Sequence, residues 1–161
     1  MLTRFSKSRL GVIFLAAALP LLLPAADGKP DFSGEWKMVA SKSDFGPMPV
    51  PERVVEKIVH KDPSLELSSV QVDAGTERKV DMSYRTDGTP TKGKIGENEV
   101  TSTAAWEGAV LAIESKLQTP ARTLTFKERW TMGEDGKSMT VLRTVSTDLG
   151  DIQFKIALVR Q

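Results

Sequence analysis

The stretch Phe32-Ser-Gly-Glu-Trp-Lys-Met38 stands between an apolar N-terminal segment and a long series of residues that alternate between apolar and polar. It contains the triplet Gly34-Glu-Trp36, in which a glycine with unrestricted backbone angles precedes a large aromatic side chain. A Gly-x-Trp triplet at the start of an all-β domain is typical of small β-barrels. The residues on either side of the triplet test that interpretation.

The residues before the triplet have the pattern of a secretory signal peptide. Residues 1–9 carry basic side chains and no acidic one, residues 10–24 are almost wholly apolar, and Ala25-Ala26 offers small residues for cleavage. A retained membrane anchor is the alternative, but the apolar run of about 15 residues is shorter than the roughly 20 that a spanning helix needs. We therefore expect residues 1–26 to be a cleaved signal peptide. Residues 27–161 would then form an exported domain, periplasmic or extracellular, with no integral membrane span.

Composition narrows the possible partners and chemistry. The chain has no cysteine, which excludes a disulfide framework, a lipid-modified cysteine and thiolate catalysis. Its 22 basic residues nearly balance its 21 acidic ones. Three of the basic residues belong to the predicted signal peptide, so residues 27–161 carry a net charge near −2. A nearly neutral charge without a basic patch does not favour nucleic acid as a partner. The remaining length is that of one domain with its own core.

Apolar and polar residues alternate through most of the domain, as in antiparallel strands with one buried face. The clearest segments are 78–84, 110–117, 123–132, 139–145 and 152–158, and weaker ones are 53–61, 65–72 and 100–106. Between them lie turn sequences, among them Asp73-Ala-Gly75, Asp87-Gly88, Glu107-Gly108, Glu134-Asp-Gly136 and Leu149-Gly150. These short spacings leave no room for crossover helices. The sequence therefore predicts an all-β, antiparallel up-and-down meander of 8–10 strands.

A meander of this length favours closure into a barrel, because an open sheet would expose two unpaired edges. A two-sheet sandwich is the alternative, since alternation is the same in both. Residues 43–52 contain three prolines at every second position and predict a connecting loop over one barrel end, or a lid that gates it. Residues 92–96 predict a broken strand or a wide turn.

The opening of the domain resembles the start of the calycin superfamily, which includes lipocalins, fatty-acid-binding proteins and bacterial lipocalin-like relatives. The resemblance is carried by Asp31-Phe-Ser-Gly-Glu-Trp36-Lys-Met and the following Ser41-Lys-Ser-Asp-Phe45. It implies a closed lipocalin-like barrel over residues 27–161, in which Gly34, Trp36 and Arg160 close one end with the arginine packed over the indole ring. The chain departs from fatty-acid-binding proteins in having the proline-rich loop where they have two helices.

Charged residues share the apolar parity of three predicted strands. Arg78, Glu128 and Arg143 would therefore lie inside the barrel, where each needs a partner or a ligand. One interpretation is an internal Arg–Glu pair or strand ends that reach solvent, and the other is a ligand carboxylate held by Arg143 with Arg78 and Tyr84. The predicted ligand-binding residues, all of inward parity, are Arg143, Arg78, Tyr84, Met82, Phe126, Glu128, Met139 and Phe154.

Catalytic and metal-binding patterns are weak in this sequence. The single histidine, His60, ends a predicted strand, and we expect it to be exposed. We predict no catalytic constellation, no metal site and no cofactor. Three functions stay open: binding of a small hydrophobic or amphipathic molecule in the barrel, a structural or interaction module of the cell envelope with a filled core, and an enzyme that uses Glu128 as a base. The first, a non-enzymatic binding protein, is the main prediction.

Overall fold

The computed structural model describes residues 28–148 and 150–161. The predicted signal peptide and Leu149 lie outside these residues. The described chain forms ten strands, with a single turn of 3₁₀ helix at Ala40–Lys42 as its only helix. The strands are β1 (Gly34–Met38), β2 (Arg53–Lys61), β3 (Ser64–Asp73), β4 (Thr76–Arg85), β5 (Thr91–Ile95), β6 (Asn98–Glu107), β7 (Val110–Gln118), β8 (Thr123–Met132), β9 (Ser138–Thr147) and β10 (Gly150–Arg160). No helix in this part of the chain has the length and apolar character needed to span a membrane.

All ten strands belong to one antiparallel sheet that closes almost completely into a barrel. Consecutive strands pair along the chain with one exception, and the first strand also pairs with the last, β1 with β10. Only β4 and β5 meet without a continuous ladder, although the Thr91 hydroxyl donates a 2.8 Å hydrogen bond to the Ser83 carbonyl across this junction. The predicted all-β meander and the barrel are confirmed, because a sandwich would have two separate sheets.

The inner face of the barrel is the apolar face that the sequence predicts. On β7, for example, Leu111, Ile113 and Leu117 are buried, and on β4 Met82 and Tyr84 are buried. Burying one such aliphatic side chain contributes about 1.5–3 kcal/mol relative to leaving it exposed. The alternation therefore favours strands and places the apolar side chains on one face. Burial of that face stabilises the closed sheet.

One end of the barrel is filled by aromatic side chains. Phe32 and Trp36 are fully buried, and Phe32 meets Trp130 edge-on with ring centroids 5.7 Å apart. Phe32 also stacks on Trp106 at 5.9 Å. We call this the closed end. Because these large rings occupy the space between the strands here, any interior volume has to lie towards the opposite end, formed by the β3–β4 and β7–β8 hairpins.

Two irregular segments take defined positions. The proline-rich segment lies against β10, where Asp44 and Lys155 exchange two backbone hydrogen bonds of 2.7 Å and Phe45 contacts Phe154 at 5.9 Å. It is a connecting loop with no helix, and a role as a lid stays a prediction. Residues 92–96, predicted as a broken strand or wide turn, contribute to the short strand β5, which pairs with β6 along its whole length.

Candidate ligand-binding cavity

A cavity of about 470 Å³ lies inside the barrel, on the side away from the closed end. Its walls come from strands on all sides of the sheet, with apolar residues such as Leu67, Val80 and Leu117 around a smaller set of polar groups. Seven of the eight residues predicted to bind a ligand line it: Arg143, Arg78, Tyr84, Met82, Phe126, Glu128 and Phe154. The strand parity thus brings most of the predicted set to one space.

Met139 is the member of the predicted set that does not reach the cavity. It shares the inward face of β9 with Arg143 but lies four residues nearer the β8–β9 turn, opposite Met132 and Leu158. It is 1% exposed and packs in the core of the closed end. Parity specifies which face a side chain occupies, whereas its height along the barrel axis decides whether it meets the cavity or the core.

Arg143 and Glu128 form an ion pair inside the barrel. They lie opposite each other on β9 and β8, and Arg143 Nε donates to Glu128 Oε1 at 2.7 Å. The second oxygen, Glu128 Oε2, accepts a 2.7 Å hydrogen bond from Trp130 Nε1. The negative charge of Glu128 raises the pKa of Arg143, so the guanidinium stays charged. Of the two interpretations that the sequence left open, the structure shows the internal Arg–Glu pair.

This pairing bears on what each group can do. Both carboxylate oxygens of Glu128 accept a hydrogen bond, one from Arg143 and one from Trp130, so protein donors hold the carboxylate in place. Arg143 retains 29% of its side-chain surface accessible while lining the cavity. Part of its side chain therefore faces the cavity, and its charge is balanced by Glu128.

Glu56 is a cavity residue that sequence reasoning missed. It lies on the inner face of β2, 4% exposed, and its Oε2 is buried with no hydrogen-bond partner among the described residues. Burial raises its pKa to about 7, an effect that Arg143 opposes and Glu128 reinforces. A signal existed, since Glu56 has the parity of the buried Val54 and Ile58. It was obscured because the other parity of β2 also carries valines, which leaves the buried face ambiguous.

Tyr84 brings an uncharged hydroxyl to the same region. Its ring meets Trp130 edge-on with centroids 6.5 Å apart, which orients the phenol. Burial raises its pKa far above the ordinary value, and the charge of Glu128 raises it further, so the group stays protonated. Nearby, the hydroxyls of Ser102 and Ser115 share a 2.7 Å hydrogen bond across β6 and β7. These groups are polar and neutral.

Arg78 lies at the open end rather than in the interior. Its side chain is 65% exposed and forms an ion pair with Asp73 beside the β3–β4 turn. The side chain shares the inward parity of β4, but it lies near the first residue of the strand, beside the β3–β4 turn. Arg78 is therefore a charged residue at the cavity rim, already paired with a carboxylate.

The three residues predicted to close the barrel are brought together at the closed end. The guanidinium carbon of Arg160 lies 4.6 Å from the centroid of the Trp36 ring, and the two residues are paired across β1 and β10. Arg160 also donates hydrogen bonds to the carbonyls of Ser33 and Asp31. Gly34 has φ +133°, and a Cβ there would lie 3.4 Å from Arg160 Nη1. The first and last strands are thus tied through side chains as well as backbone.

The expected exposure of His60 is wrong. Its side chain is 4% exposed and packs against both Phe32 and Trp106, with centroid distances of 6.0 and 5.9 Å. Its Nδ1 accepts a 3.3 Å hydrogen bond from the backbone N–H of Phe32. The reason is that the segment before β1 folds over the end of β2, which the strand pattern alone does not show. No cluster of three metal-ligating side chains occurs in residues 28–148 and 150–161.

Comparison with solved structures establishes the fold class. A secretory abundant heat soluble protein from Ramazzottius varieornatus matches with a TM-score of 0.58 at 14% identity, covering 83% of this chain and 96% of that one. The zebrafish ileal bile-acid-binding protein complexed with cholic acid matches with a TM-score of 0.53 at 11% identity, covering 81% and 98%. A fatty acid transporter matches with a TM-score of 0.54 at 10% identity, covering 80% and 95%.

The fold is that of the calycin-like barrels. No family model and no curated protein matches the sequence. At identities of 10–14% the structural likeness extends to the fold alone. One fold serves many functions, so the function of the cavity depends on the side chains that line it.

Proposed function

We propose that this calycin-like barrel binds a small hydrophobic or amphipathic molecule in its interior and performs no catalysis. The observation that carries the proposal is the cavity of about 470 Å³, whose walls combine apolar side chains with polar and charged groups. Small-molecule sites in proteins have volumes of about 300–1,000 Å³ and this same mixture of surfaces. The solved bile-acid complex and the fatty acid transporter are consistent with such a use of the fold.

The two alternative functions receive less support. A structural module of the cell envelope with a filled core needs no interior space, whereas this barrel encloses a cavity. An enzyme that uses Glu128 as a base needs its carboxylate directed at a substrate, whereas both oxygens accept hydrogen bonds from the protein donors Arg143 and Trp130.

The predicted signal peptide bears on where the protein acts. We propose that residues 1–26 are cleaved and that residues 27–161 act outside the cytoplasm, periplasmic or extracellular. The support is the basic, apolar and small-residue order of the leader. The ligand would then be an exported or environmental molecule, and nucleic acid would not be a partner.

Interior binding is tested by titrating the mature protein with the neutral fluorescent probe N-phenyl-1-naphthylamine. We expect saturable binding at one site. Val80→Trp should weaken it by about tenfold or more, because the new indole occupies part of the cavity that Val80 lines. Lys79→Trp is the matched control, since it places the same side chain on the exposed outer face of β4. Absence of saturable binding, or equal binding by Val80→Trp and the wild type, would contradict interior binding.

A further inference from the structure

We propose that the cavity selects amphipathic cations, with an ammonium-type head group held by the carboxylate of Glu56. This inference rests on the proposed interior binding and specifies the head group. It is carried by the position of one buried oxygen atom and by the balance of charges around it.

The first argument is the unsatisfied oxygen of Glu56. Glu56 lines the cavity, and its Oε2 is buried with no hydrogen-bond partner among the residues described. Buried carboxylates in proteins are normally paired or hydrogen-bonded, because an isolated one loses its hydration without compensation. The neighbouring strands place Trp36 and Ser69 opposite Glu56, and neither is charged. A donor from a molecule in the cavity would complete this group.

The second argument is the charge balance of the cavity. Its deep ionisable groups are Glu56, Glu128 and Arg143, together with Tyr84, which stays neutral. Arg143 is balanced by its ion pair with Glu128, so the ionised form of Glu56 leaves a net charge of −1. At the rim, the pair of Arg78 and Asp73 adds no net charge.

These charges distinguish between head groups. With Glu56 ionised, a carboxylate ligand would make the net charge of this low-dielectric site more negative, from −1 to −2. Arg143 could bind that carboxylate only in competition with Glu128. An ammonium head group would bring the net charge to zero and donate a hydrogen bond to the Glu56 carboxylate. An alcohol would donate the hydrogen bond but leave the charge unbalanced. The cation is therefore the favoured ligand.

The same geometry makes binding depend on pH. The pKa of Glu56 is raised to about 7 in the free protein, so its carboxylate is mostly protonated at pH 6 and mostly ionised at pH 8. A cation binds the ionised form, and its apparent affinity scales with the ionised fraction. The affinity should therefore rise about tenfold from pH 6 to pH 8.

The experiment compares decylammonium, decanol and decanoate, which share one alkyl chain, as competitors of the neutral probe at pH 6, 7 and 8 below their micellar concentrations. In the wild type at pH 8 we expect decylammonium to bind about tenfold or more tightly than decanoate. Glu56→Gln should remove both this preference and the pH dependence. Glu99→Gln, the same change on the exposed outer face of β6, should retain both.

A second measurement needs no variant. Calorimetric titration of the wild type with decylammonium at pH 7, in buffers of different ionisation enthalpy, should show release of about half a proton as Glu56 ionises. Proton uptake or no proton transfer would contradict the inference.

The outcomes separate the two proposals. If neither the probe nor any decyl compound binds, interior binding itself fails. If the probe binds but decanoate or decanol competes as well as decylammonium, or if the preference survives in Glu56→Gln, interior binding stands and the assignment of Glu56 is overturned.

Discussion

Glu56 and Trp36 show at the scale of the residue how burial decides what a side chain does. Glu56 is a charged residue held in the interior of the barrel, and burial raises its pKa to about 7. Trp36 is fully buried at the closed end, where its indole N–H donates to the Phe32 carbonyl at 2.9 Å and Arg160 covers its ring. Burial thus changes the protonation of Glu56, whereas the buried Trp36 stabilises the fold.

The raised pKa of Glu56 makes stability fall as pH rises. Between about 4.5, the ordinary pKa, and 7, the folded protein retains a proton that the unfolded chain has lost. The free energy of unfolding therefore decreases through this window and stays lower above it, by up to about 3 kcal/mol for the full shift. Denaturant unfolding of the wild type and Glu56→Gln at several pH values should show this as a difference that grows from pH 4.5 to 7.

Glu99→Gln is the control for this measurement, since an exposed carboxyl on the outer face of β6 should leave the pH profile of stability unchanged. A difference between the wild type and Glu56→Gln that is the same at every pH would show that Glu56 is not buried as described.

Trp36→Ala should lower the free energy of unfolding by about 3–5 kcal/mol, the range for truncation of a large buried aromatic. Equilibrium unfolding in urea measures the loss. Trp106→Ala removes the same side chain from a partly buried position and should cost less. Because Trp36 does not line the cavity, folded Trp36→Ala protein should retain probe binding. Loss of binding in a fully stable variant would show that Trp36 has a direct role in the site.

At the scale of the elements, the strands differ in how completely they are paired. Strands β8 and β9 have ladder partners on both sides, whereas β4 pairs only with β3 and β5 only with β6. Contacts such as the Thr91–Ser83 hydrogen bond hold β4 and β5 together without a ladder. This junction is the place where the barrel is least constrained by backbone hydrogen bonds.

Amide hydrogen exchange followed by NMR should reveal this difference. We expect the amides of β4 and β5 that point towards each other to exchange about tenfold or more faster than those of β8 and β9, since exposed backbone groups open with lower free energy. The amides of β4 that bond to β3 provide an internal control. Uniform protection around the barrel would mean that β4 and β5 form a continuous ladder in solution.

The elements also show where sequence patterns are ambiguous. On β2 both faces carry valines, so the alternation did not reveal that Val54, Glu56 and Ile58 are the inner face. On β9 the alternation placed Met139 and Arg143 on one face correctly, but one lies in the core and the other at the cavity. A period of two identifies a face and carries no information on height.

At the scale of the whole molecule, the barrel is closed where the first strand of the chain pairs with the last. Strand β1 lies between β2 and β10, so the segment that begins with the Gly-x-Trp triplet connects the start of the meander to its last strand. Arg160 reinforces this junction by stacking on Trp36 and by bonding to the carbonyls before β1. The cavity of about 470 Å³ lies on the side of the barrel away from the aromatic closed end.

Local information in the sequence was sufficient for the architecture. Strand alternation, turn residues and the short spacing between strands predicted an antiparallel meander that closes into a barrel, because each depends on a residue and its near neighbours. The same alternation predicted seven of the residues that line the cavity. The Trp36–Arg160 contact followed from the family resemblance.

Tertiary structure alone decided the properties of the site. The cavity is the volume left between side chains from distant strands, and no local pattern records it. The pairing of Arg143 with Glu128, the burial of His60 beneath the N-terminal segment and the unsatisfied oxygen of Glu56 each depend on residues brought together by folding. The sequence by itself determined the antiparallel meander because strand formation is local. Only the tertiary structure decided which charges lie inside it, because burial and electrostatic interactions depend on the position of every strand around the axis.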